Sequence, residues 1–258
     1  MTLEPGIHVA PASGYLGAVV GNLDLRVDLS SDTLNQLQEL LRERLALFFP
    51  DQHLSSDEQL AFAARFGQVQ PHPDRAEWVE GTDQKVVIVS PKGGVSSVWH
   101  CDYDQDFVPC VYSTLNMVLC ADDGGGDTVF SSSQLVFDNL SENFKAFLRT
   151  LTAVHENLGN TGRRRNVAEF PLVSVNPSSG RECLLFSSHH VVRFAELSQA
   201  ESDLVIQHLR GLTTRPEYCY RQHWKEGTIA LWDNRSIQHY AVPDFAGNRM
   251  LYQVTLDT

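Results

Sequence analysis

Three side chains in this sequence could together hold a metal ion. His100 and Asp102 stand two residues apart in Trp99-His100-Cys101-Asp102, and His239 lies far downstream. Successive side chains of a β-strand point to opposite faces, so His100 and Asp102 would share one face and Cys101 would point away. Two histidines and one carboxylate on one side of a metal, with its other positions open, are typical of non-haem Fe(II) oxygenases. The sequence therefore predicts an iron site, although any one of its ten histidines taken alone is more often structural.

An arginine in an apolar segment is the second feature that could have a chemical function. Arg249 shares one face of a predicted strand with Leu251, Gln253 and Thr255, while the other face is apolar throughout. An unpaired buried charge is costly, so such an arginine needs an anionic partner. A planar guanidinium binds a carboxylate through two parallel hydrogen bonds. We therefore expect Arg249 to bind a carboxylate-bearing cosubstrate beside the metal; the alternative is a surface arginine on an edge strand.

The bulk composition is that of an ordinary globular protein that acts on small molecules. The chain has 258 residues, is 42% hydrophobic and carries a formal net charge of −12, which disfavours nucleic acid and anionic membranes as partners. Its five cysteines form no CxxC pair, and no apolar run approaches the ~20 residues of a membrane span. Together with the absence of a signal-peptide pattern at Met1, these features predict a reduced, cytoplasmic protein with a small-molecule substrate. These features are compatible with a homo-oligomer.

Helical and strand patterns then define the expected framework. Apolar spacing and serine caps predict helices that begin near Ser31, Ser55, Ser141 and Ser198. Runs of β-branched and aromatic residues predict five strands, at 85–89, 111–119, 183–186, 228–232 and 250–256. Many short strands with helices near the N-terminus predict a mainly β fold, a jelly-roll (double-stranded β-helix) core with an N-terminal helical layer. No long linker interrupts the chain, so one domain is expected over residues 1–258.

The motifs resemble those of the taurine dioxygenase / TfdA family of Fe(II)- and 2-oxoglutarate-dependent dioxygenases. The resemblance covers most of the chain, and its motifs keep the family's order and spacing. The matching segments are Trp99-His100-Cys101-Asp102, Gly125-Gly126-Asp127-Thr128-Val129-Phe130, Trp232-Asp233-Asn234-Arg235, Gln238-His239-Tyr240-Ala241 and Arg249.

The resemblance implies roles for five residues. His100, Asp102 and His239 would bind Fe(II), Arg249 would hold the far carboxylate of 2-oxoglutarate, and Thr128 would donate its hydroxyl to the same group. With O2 as the other cosubstrate, the implied products are succinate, CO2 and an oxidised substrate. The expected reaction is hydroxylation of a C–H bond in a small acid-bearing or amino-acid-like metabolite. No catalytic residue beyond the metal ligands is implied.

Substrate contacts are expected from residues that flank the metal motif. His72 matches a position that resembles a substrate contact in sulfonate-using relatives, and Ser96 and Tyr103 stand where substrate-facing residues are expected. Family members often carry a second arginine four residues after the one that matches Arg249. Here that position holds Gln253, which argues against a strongly anionic sulfonate and makes Gln253 itself a candidate contact. The alternative for these residues is pocket wall without a specific contact.

The segment Glu156 to Glu169 is expected to be a long polar loop, because it shows neither helical nor strand periodicity. It holds Arg163-Arg164-Arg165, and Arg163 is a candidate contact for an acidic substrate if the loop is a lid. A solvated loop is the alternative. Two other functions also remain open: the same C–H activation with desaturation, cyclisation or C–heteroatom cleavage as its outcome, and a non-catalytic binding module. A hydrolytic zinc site would use His and Asp but would not explain Arg249 with Thr128.

Overall fold

The computed structural model describes residues 6–73, 75, 77–91, 96–104, 107–157 and 166–257. Its helices are α1 (Ser31–Arg44), α2 (Ser56–Ala63), α3 (Ser133–Asp138), α4 (Glu142–Leu148) and α5 (Gln199–Thr213), and a 3-10 helix spans Pro216–Tyr218. Serine hydroxyls cap the N-termini of the α-helices, as the sequence predicts for four of them. Complete capping boxes join Ser55 to Glu58 and Ser198 to Glu201. The sequence did not predict α3, since its six residues are too few to show a helical period.

An eight-stranded sheet forms the larger layer of the molecule. Its strands are β1 (His8–Pro11), β2 (Ala18–Gly21), β3 (Ala46–Phe49), β4 (Gln68–Val69), β5 (Val87–Val89), β6 (Tyr112–Leu119), β14 (Ile229–Asp233) and β16 (Met250–Asp257). The order is β1-β2-β3-β14-β6-β16-β4, with β5 also paired to β16. All pairs are antiparallel except β2 with β3. Long-range pairing of this kind brings the end of the chain between segments from its first half.

Three smaller sheets complete the strand framework. They contain β7 (Thr128–Ser132), β8 (Thr152–Glu156), β9 (Val167–Pro171), β10 (Val173–Val175), β11 (Glu182–Leu184), β12 (Val191–Phe194), β13 (Cys219–Gln222) and β15 (Ile237–Ala241). Their orders are β13-β7-β15, β12-β8-β9 and β10-β11. The sheet β13-β7-β15 faces the larger sheet, because Phe130 and Ile237 pack with Phe48, Trp232 and Leu251 in one buried cluster. These two facing layers are the predicted jelly-roll core.

Strand β14 illustrates how the core is divided. All five of its residues are buried, and their side chains alternate between two clusters. Ile229 and Leu231 pack against α1 and α2 on the outside of the sheet, whereas Ala230 and Trp232 pack between the two sheets. The predicted N-terminal helical layer is therefore present. A third cluster, formed by α3, α4, α5 and the neighbouring small strands, adds a helical layer from the second half of the chain.

The predicted bounds of the polar loop, Glu156 to Glu169, are wrong at both ends. Glu156 closes β8, and Val167 to Glu169 belong to β9, which pairs with β8. Strand β9 has β8 as its one partner among the described strands and keeps alternate residues exposed, so its sequence lacks the apolar run that marks a central strand. Arg163 and its two neighbouring arginines lie outside the described residues. Within the described residues, no helix is long and apolar enough to cross a bilayer.

Candidate metal centre

The two candidate histidine ligands face each other across a single backbone bridge. The amide of His100 donates to the carbonyl of His239 over 3.0 Å, and the amide of His239 donates to the carbonyl of His100 over 2.8 Å. The ring centroids lie 4.2 Å apart. His239 is part of β15, and this isolated bridge joins His100 to it. A residue at position 100 thus comes next to one at position 239 through backbone pairing, independently of any metal.

Asp102 completes a group of ligand atoms. One carboxylate oxygen, Oδ1, lies 3.9 Å from Nε2 of His100 and 3.9 Å from Nε2 of His239. One ligand atom from each of the three residues falls within 4.8 Å of the others, and all three side chains are buried. This spacing suits a small metal ion at the centre of the three atoms. The structure therefore brings together the three residues that the sequence singled out.

Hydrogen bonds fix the orientation and charge of this group. The Nδ1–H of His100 donates to the carbonyl of Val98 over 2.7 Å, which leaves Nε2 with a lone pair that faces Asp102. Burial lowers the pKa of His239 to about 3 and also lowers that of His100. Both imidazoles are therefore neutral at neutral pH, as metal ligation requires.

Asp102 is held at both carboxylate oxygens and at its backbone. Ser113 donates its hydroxyl to Oδ2 over 2.7 Å, and Gln253 donates its amide to Oδ1 over 2.9 Å. The side chain of Asn234 accepts from the amide of Asp102 and donates to its carbonyl, both over 2.9 Å. Burial acts to raise the pKa of Asp102, but the neighbouring His239 and the Ser113 hydroxyl favour the anion, and the pKa is lowered. The site therefore offers one fixed negative charge.

Arg249 is a buried cation without a partner in the described part of the chain. Its side chain is 3% exposed, and its Nε has no hydrogen-bond partner. The guanidinium carbon lies 5.5 Å from the ring centre of Phe245, and burial lowers the pKa of the group to about 10. Gly126 leaves room for it, because a Cβ there would come within 2.6 Å of Cδ and Nε of Arg249. A buried, unpaired guanidinium is costly unless an anion joins it, so the site fits a carboxylate-bearing ligand.

Thr128 lies near Gly126 in the chain, and its hydroxyl is oriented by a neighbouring tryptophan. It begins β7, two residues after Gly126, and pairs with Ala241 of β15, two residues after His239. The indole Nε1–H of Trp224 donates to Oγ1 of Thr128 over 3.0 Å. Because that oxygen accepts from Trp224, its own proton is free to point at another acceptor. Thr128 therefore keeps a hydroxyl proton that it can donate to a ligand of the site.

The candidate substrate residues differ in what they contact. His72 is buried, and its Nε2 is hydrogen-bonded to Oγ1 of Thr255. The hydroxyl of Tyr103 is hydrogen-bonded to Nδ1 of His155. Ser96 is exposed and accepts a backbone hydrogen bond from Ala241 through its carbonyl. Gln253 is held by Asp102, and Arg163 lies outside the described residues.

The sequence indicated no role for three residues that contact the candidate ligands or Thr128: Ser113, Asn234 and Trp224. Asn234 stands in the matching segment Trp232-Asp233-Asn234-Arg235, but that motif alone does not indicate what its side chain binds. Ser113 could have been found from strand register, because it pairs with Thr255, two residues from Gln253, on β16. Trp224 gave no such signal, since it lies outside the strands and reaches Thr128 through the conformation of its loop.

Comparison with known proteins places the chain in a family. The model of the family described as "Taurine catabolism dioxygenase TauD, TfdA family" matches residues 8–255. An alkylsulfatase of Acinetobacter baylyi is 33% identical, with 97% of this chain and 84% of the relative covered. An alpha-ketoglutarate-dependent sulfate ester dioxygenase of Pseudomonas putida is 32% identical, with 98% and 90% covered. The crystal structure of a taurine dioxygenase from Burkholderia xenovorans superposes with a TM-score of 0.87 at 30% identity, with 98% and 89% covered.

The fold and the site thus define a non-haem Fe(II) dioxygenase that uses 2-oxoglutarate and O2. The chain belongs to the TauD/TfdA family, as the sequence motifs predict. The relatives named here act on small molecules, in agreement with the expected class of substrate.

Proposed function

We propose that this enzyme hydroxylates a C–H bond of a small acid-bearing metabolite, with Fe(II) held by His100, Asp102 and His239. The observation that carries the proposal is the convergence of three buried ligand atoms within 4.8 Å. A buried arginine whose Nε has no hydrogen-bond partner, Arg249, packs against Gly126, two residues before the start of β7, and β7 pairs with the strand that carries His239. These are the two requirements of the reaction, a half-open metal site and a carboxylate site beside it.

Each residue has a defined task in this proposal. When bound, iron and 2-oxoglutarate supply the oxidising chemistry that cleaves the C–H bond, with succinate and CO2 as by-products. Arg249 and Thr128 bind the far carboxylate and so fix the direction in which 2-oxoglutarate enters. The hydrogen bond from His100 to Val98 keeps its Nε2 aimed at the metal position. The carboxylate of Asp102 offsets one of the two positive charges of the ion.

A second outcome is favoured by the names of two relatives, which refer to alkyl sulfates and sulfate esters. If the attacked carbon is bonded to an ester oxygen, hydroxylation gives an unstable product in which the C–O bond breaks, releasing an aldehyde and the free acid anion. The protein residues would have the same tasks. Product analysis separates this cleavage from stable hydroxylation, desaturation and cyclisation, because only cleavage releases the anion in step with succinate.

An anaerobic titration with Fe(II) and 2-oxoglutarate tests the proposal. We expect a visible metal-to-ligand charge-transfer band in the wild-type protein and its loss in His239→Ala. In Arg249→Ala, affinity for 2-oxoglutarate should fall by about 30-fold or more, because losing one partner of a buried charge pair costs about 2–5 kcal/mol. Fe(II) affinity should stay nearly unchanged. Arg193→Ala, on β12 with an exposed guanidinium, is the control for charge loss. A folded wild-type protein that gives no band would refute the proposal.

A further inference from the structure

Two carboxylates adjoin the glycine turn that makes room for Arg249. The amide of Gly126 donates to Oδ1 of Asp244 over 2.8 Å, and a Cβ on the same glycine would lie 2.6 Å from Cδ and Nε of Arg249. Asp127 is the next residue along the chain. The charges of both carboxylates act to raise the pKa of Arg249, against the larger effect of burial. Arg249 therefore has two acidic side chains close to it.

Both carboxylates bind a different arginine, Arg221 on β13. Its Nε donates to Oδ2 of Asp127 over 2.6 Å, and a terminal nitrogen donates to Oδ2 of Asp244 over 2.8 Å. The side chain of Arg221 is 53% exposed, whereas that of Arg249 is buried and its Nε has no hydrogen-bond partner. The guanidinium that water can solvate thus has two anionic partners, and within the described chain the buried one forms an ion pair with neither carboxylate.

This distribution of partners depends on the presence of Arg221. An unpaired charge costs more free energy when it is buried than when it is exposed, so Arg249 has the greater need of an anion. Without Arg221, Asp127 would still have Nδ1 of His223 at 3.0 Å from its Oδ1. Asp244 would lose its one ion-pair partner among the described residues, and its half-exposed side chain could turn towards Arg249. Asp244 is therefore the carboxylate that Arg221 restrains.

The backbone around Asp244 has supports that do not involve Arg221. The carboxylate of Asp123 accepts from the amide of Gly125 over 3.1 Å and from the amide of Ala246 over 2.8 Å, which ties the glycine turn to the segment that carries Asp244. Removal of Arg221 would leave both bonds in place. The main effect of Arg221 is therefore on the position of a carboxylate charge and not on the course of the backbone.

We propose that Arg221 keeps Arg249 available for 2-oxoglutarate by binding the carboxylate of Asp244, which would otherwise pair with Arg249. This inference rests on the proposed function, in which Arg249 binds the far carboxylate of 2-oxoglutarate. Arg221 is a positioning residue in this arrangement and does not itself contact the cosubstrate. An entering 2-oxoglutarate then has no internal carboxylate to displace from Arg249.

Calorimetric titration of the anaerobic Fe(II) protein with two ligands tests the inference. The ligands are 2-oxoglutarate and 2-oxopentanoate, which has the same chain length but no far carboxylate. In Arg221→Gln, affinity for 2-oxoglutarate should fall by roughly tenfold to a hundredfold, the strength of hydrogen bonds to a charged group. Affinity for 2-oxopentanoate should stay near that of wild type, because this ligand does not use Arg249. An equal loss for both ligands would mean general damage to the site and would overturn the proposal.

A second substitution should restore binding. In Arg221→Gln/Asp244→Asn, the asparagine can still accept from the amide of Gly126 but has no charge to offer Arg249, so most of the affinity for 2-oxoglutarate should return. A purely structural role of the ion pair predicts a further loss, and absence of recovery would overturn the proposal. Arg149→Gln is the matched control, because Arg149 also donates two hydrogen bonds to one exposed carboxylate, that of Glu182, and should bind as wild type.

Two further results keep the inference separate from the proposed function. A crystal structure of metal-free Arg221→Gln should show Asp244 within hydrogen-bond distance of the Arg249 guanidinium, whether or not the enzyme has the proposed activity. If that variant does not fold, Asp244→Asn alone still decides: it should bind 2-oxoglutarate as wild type does, whereas a tenfold loss would contradict the proposal. Absence of the charge-transfer band in wild-type protein refutes the proposed function. A normal band with unchanged affinity in Arg221→Gln refutes the role of Arg221 alone.

Discussion

The side-chain amide of Gln253 donates a hydrogen bond to Oδ1 of Asp102 over 2.9 Å. Ser113 donates to the other oxygen, so neither the rotation nor the position of this carboxylate is free. Gln253 is 5% exposed and so has little surface to offer a substrate. Each carboxylate oxygen has two lone pairs, and Oδ1 retains one for a metal ion. Gln253 thus acts on the metal site through the ligand that it orients.

Replacing Gln253 by leucine should therefore weaken metal binding. The change removes the donor at nearly constant volume, and loss of a hydrogen bond to a metal ligand typically reduces metal affinity by about 10–100-fold. Anaerobic Fe(II) titration, or Mn(II) binding followed by electron paramagnetic resonance, measures it. Gln59→Leu is a matched control, because Gln59 is also buried but donates to Thr114 and to the carbonyl of Tyr252. Unchanged Fe(II) affinity with weakened substrate binding would instead support the substrate role expected from the sequence.

Two of the three metal-ligand candidates could be identified from the sequence by a local rule. His100 and Asp102 share a face by strand alternation, and the resemblance to a known family singles out His239. The role of Gln253 could not be read in the same way. Its register relative to Asp102 is set by the pairing of β16 with β6, which joins residues far apart in the chain. Alternation shows which residues share a face, whereas cross-strand register decides which of them meet.

Two parts of the framework were beyond sequence patterns for different reasons. Helix α3 is too short for a period, and edge strand β9 alternates exposed and half-buried residues without an apolar run. The fold class survived these omissions, since the strongly apolar strands β6, β14 and β16 define the core.

Gly126 should be essential for binding 2-oxoglutarate. Its φ of +83° is in the left-handed region, and an added Cβ would lie 2.6 Å from Cδ and Nε of Arg249. Gly126→Ala would therefore displace the guanidinium as well as strain the turn. We expect affinity for 2-oxoglutarate to fall by at least tenfold, measured by the charge-transfer titration.

Gly124 is the control for backbone strain in the same turn. Its φ is +74°, but a Cβ there would meet nothing within 4 Å. Gly124→Ala should lower the free energy of unfolding by about 1 kcal/mol, as expected for a strained non-glycine residue, and leave affinity for 2-oxoglutarate near that of wild type. Equal loss of affinity in both variants would show that strain alone, without contact to Arg249, accounts for the effect.

Trp224 should determine the direction in which Thr128 donates. Its indole donates to Oγ1 of Thr128 over 3.0 Å, so the hydroxyl proton must point elsewhere. In Trp224→Phe the threonine can rotate its proton away from the cosubstrate, and the loss of one oriented hydrogen bond should weaken 2-oxoglutarate binding by roughly 3–15-fold. A double-mutant cycle with Thr128→Val tests the coupling. If the two losses simply add, Trp224 acts through packing and not through the hydroxyl.

The stability of the metal-free protein should fall as the pH falls from 7 to 5. His155 is fully buried, and burial lowers its pKa to about 4; His190 behaves in the same way, with a pKa of about 3. In the unfolded chain a histidine titrates near 6.5. The unfolded state therefore binds more protons between these values, so the stabilising contribution is complete above about 6.5 and is lost as the pH falls towards 4. For His155 the loss at pH 5 is about 2 kcal/mol.

Urea denaturation of the metal-free protein at pH 5, 6 and 7 measures this dependence. His155→Gln keeps a side-chain acceptor for the hydroxyl of Tyr103 but cannot be protonated, so its free energy of unfolding should change less with pH than that of wild type. His8→Gln is the control, because His8 is exposed on β1. Carboxylates contribute equally to the slope in all three proteins, and their effect cancels in the comparison. A slope in His155→Gln as steep as that of wild type would mean that His155 takes up its proton in the folded state.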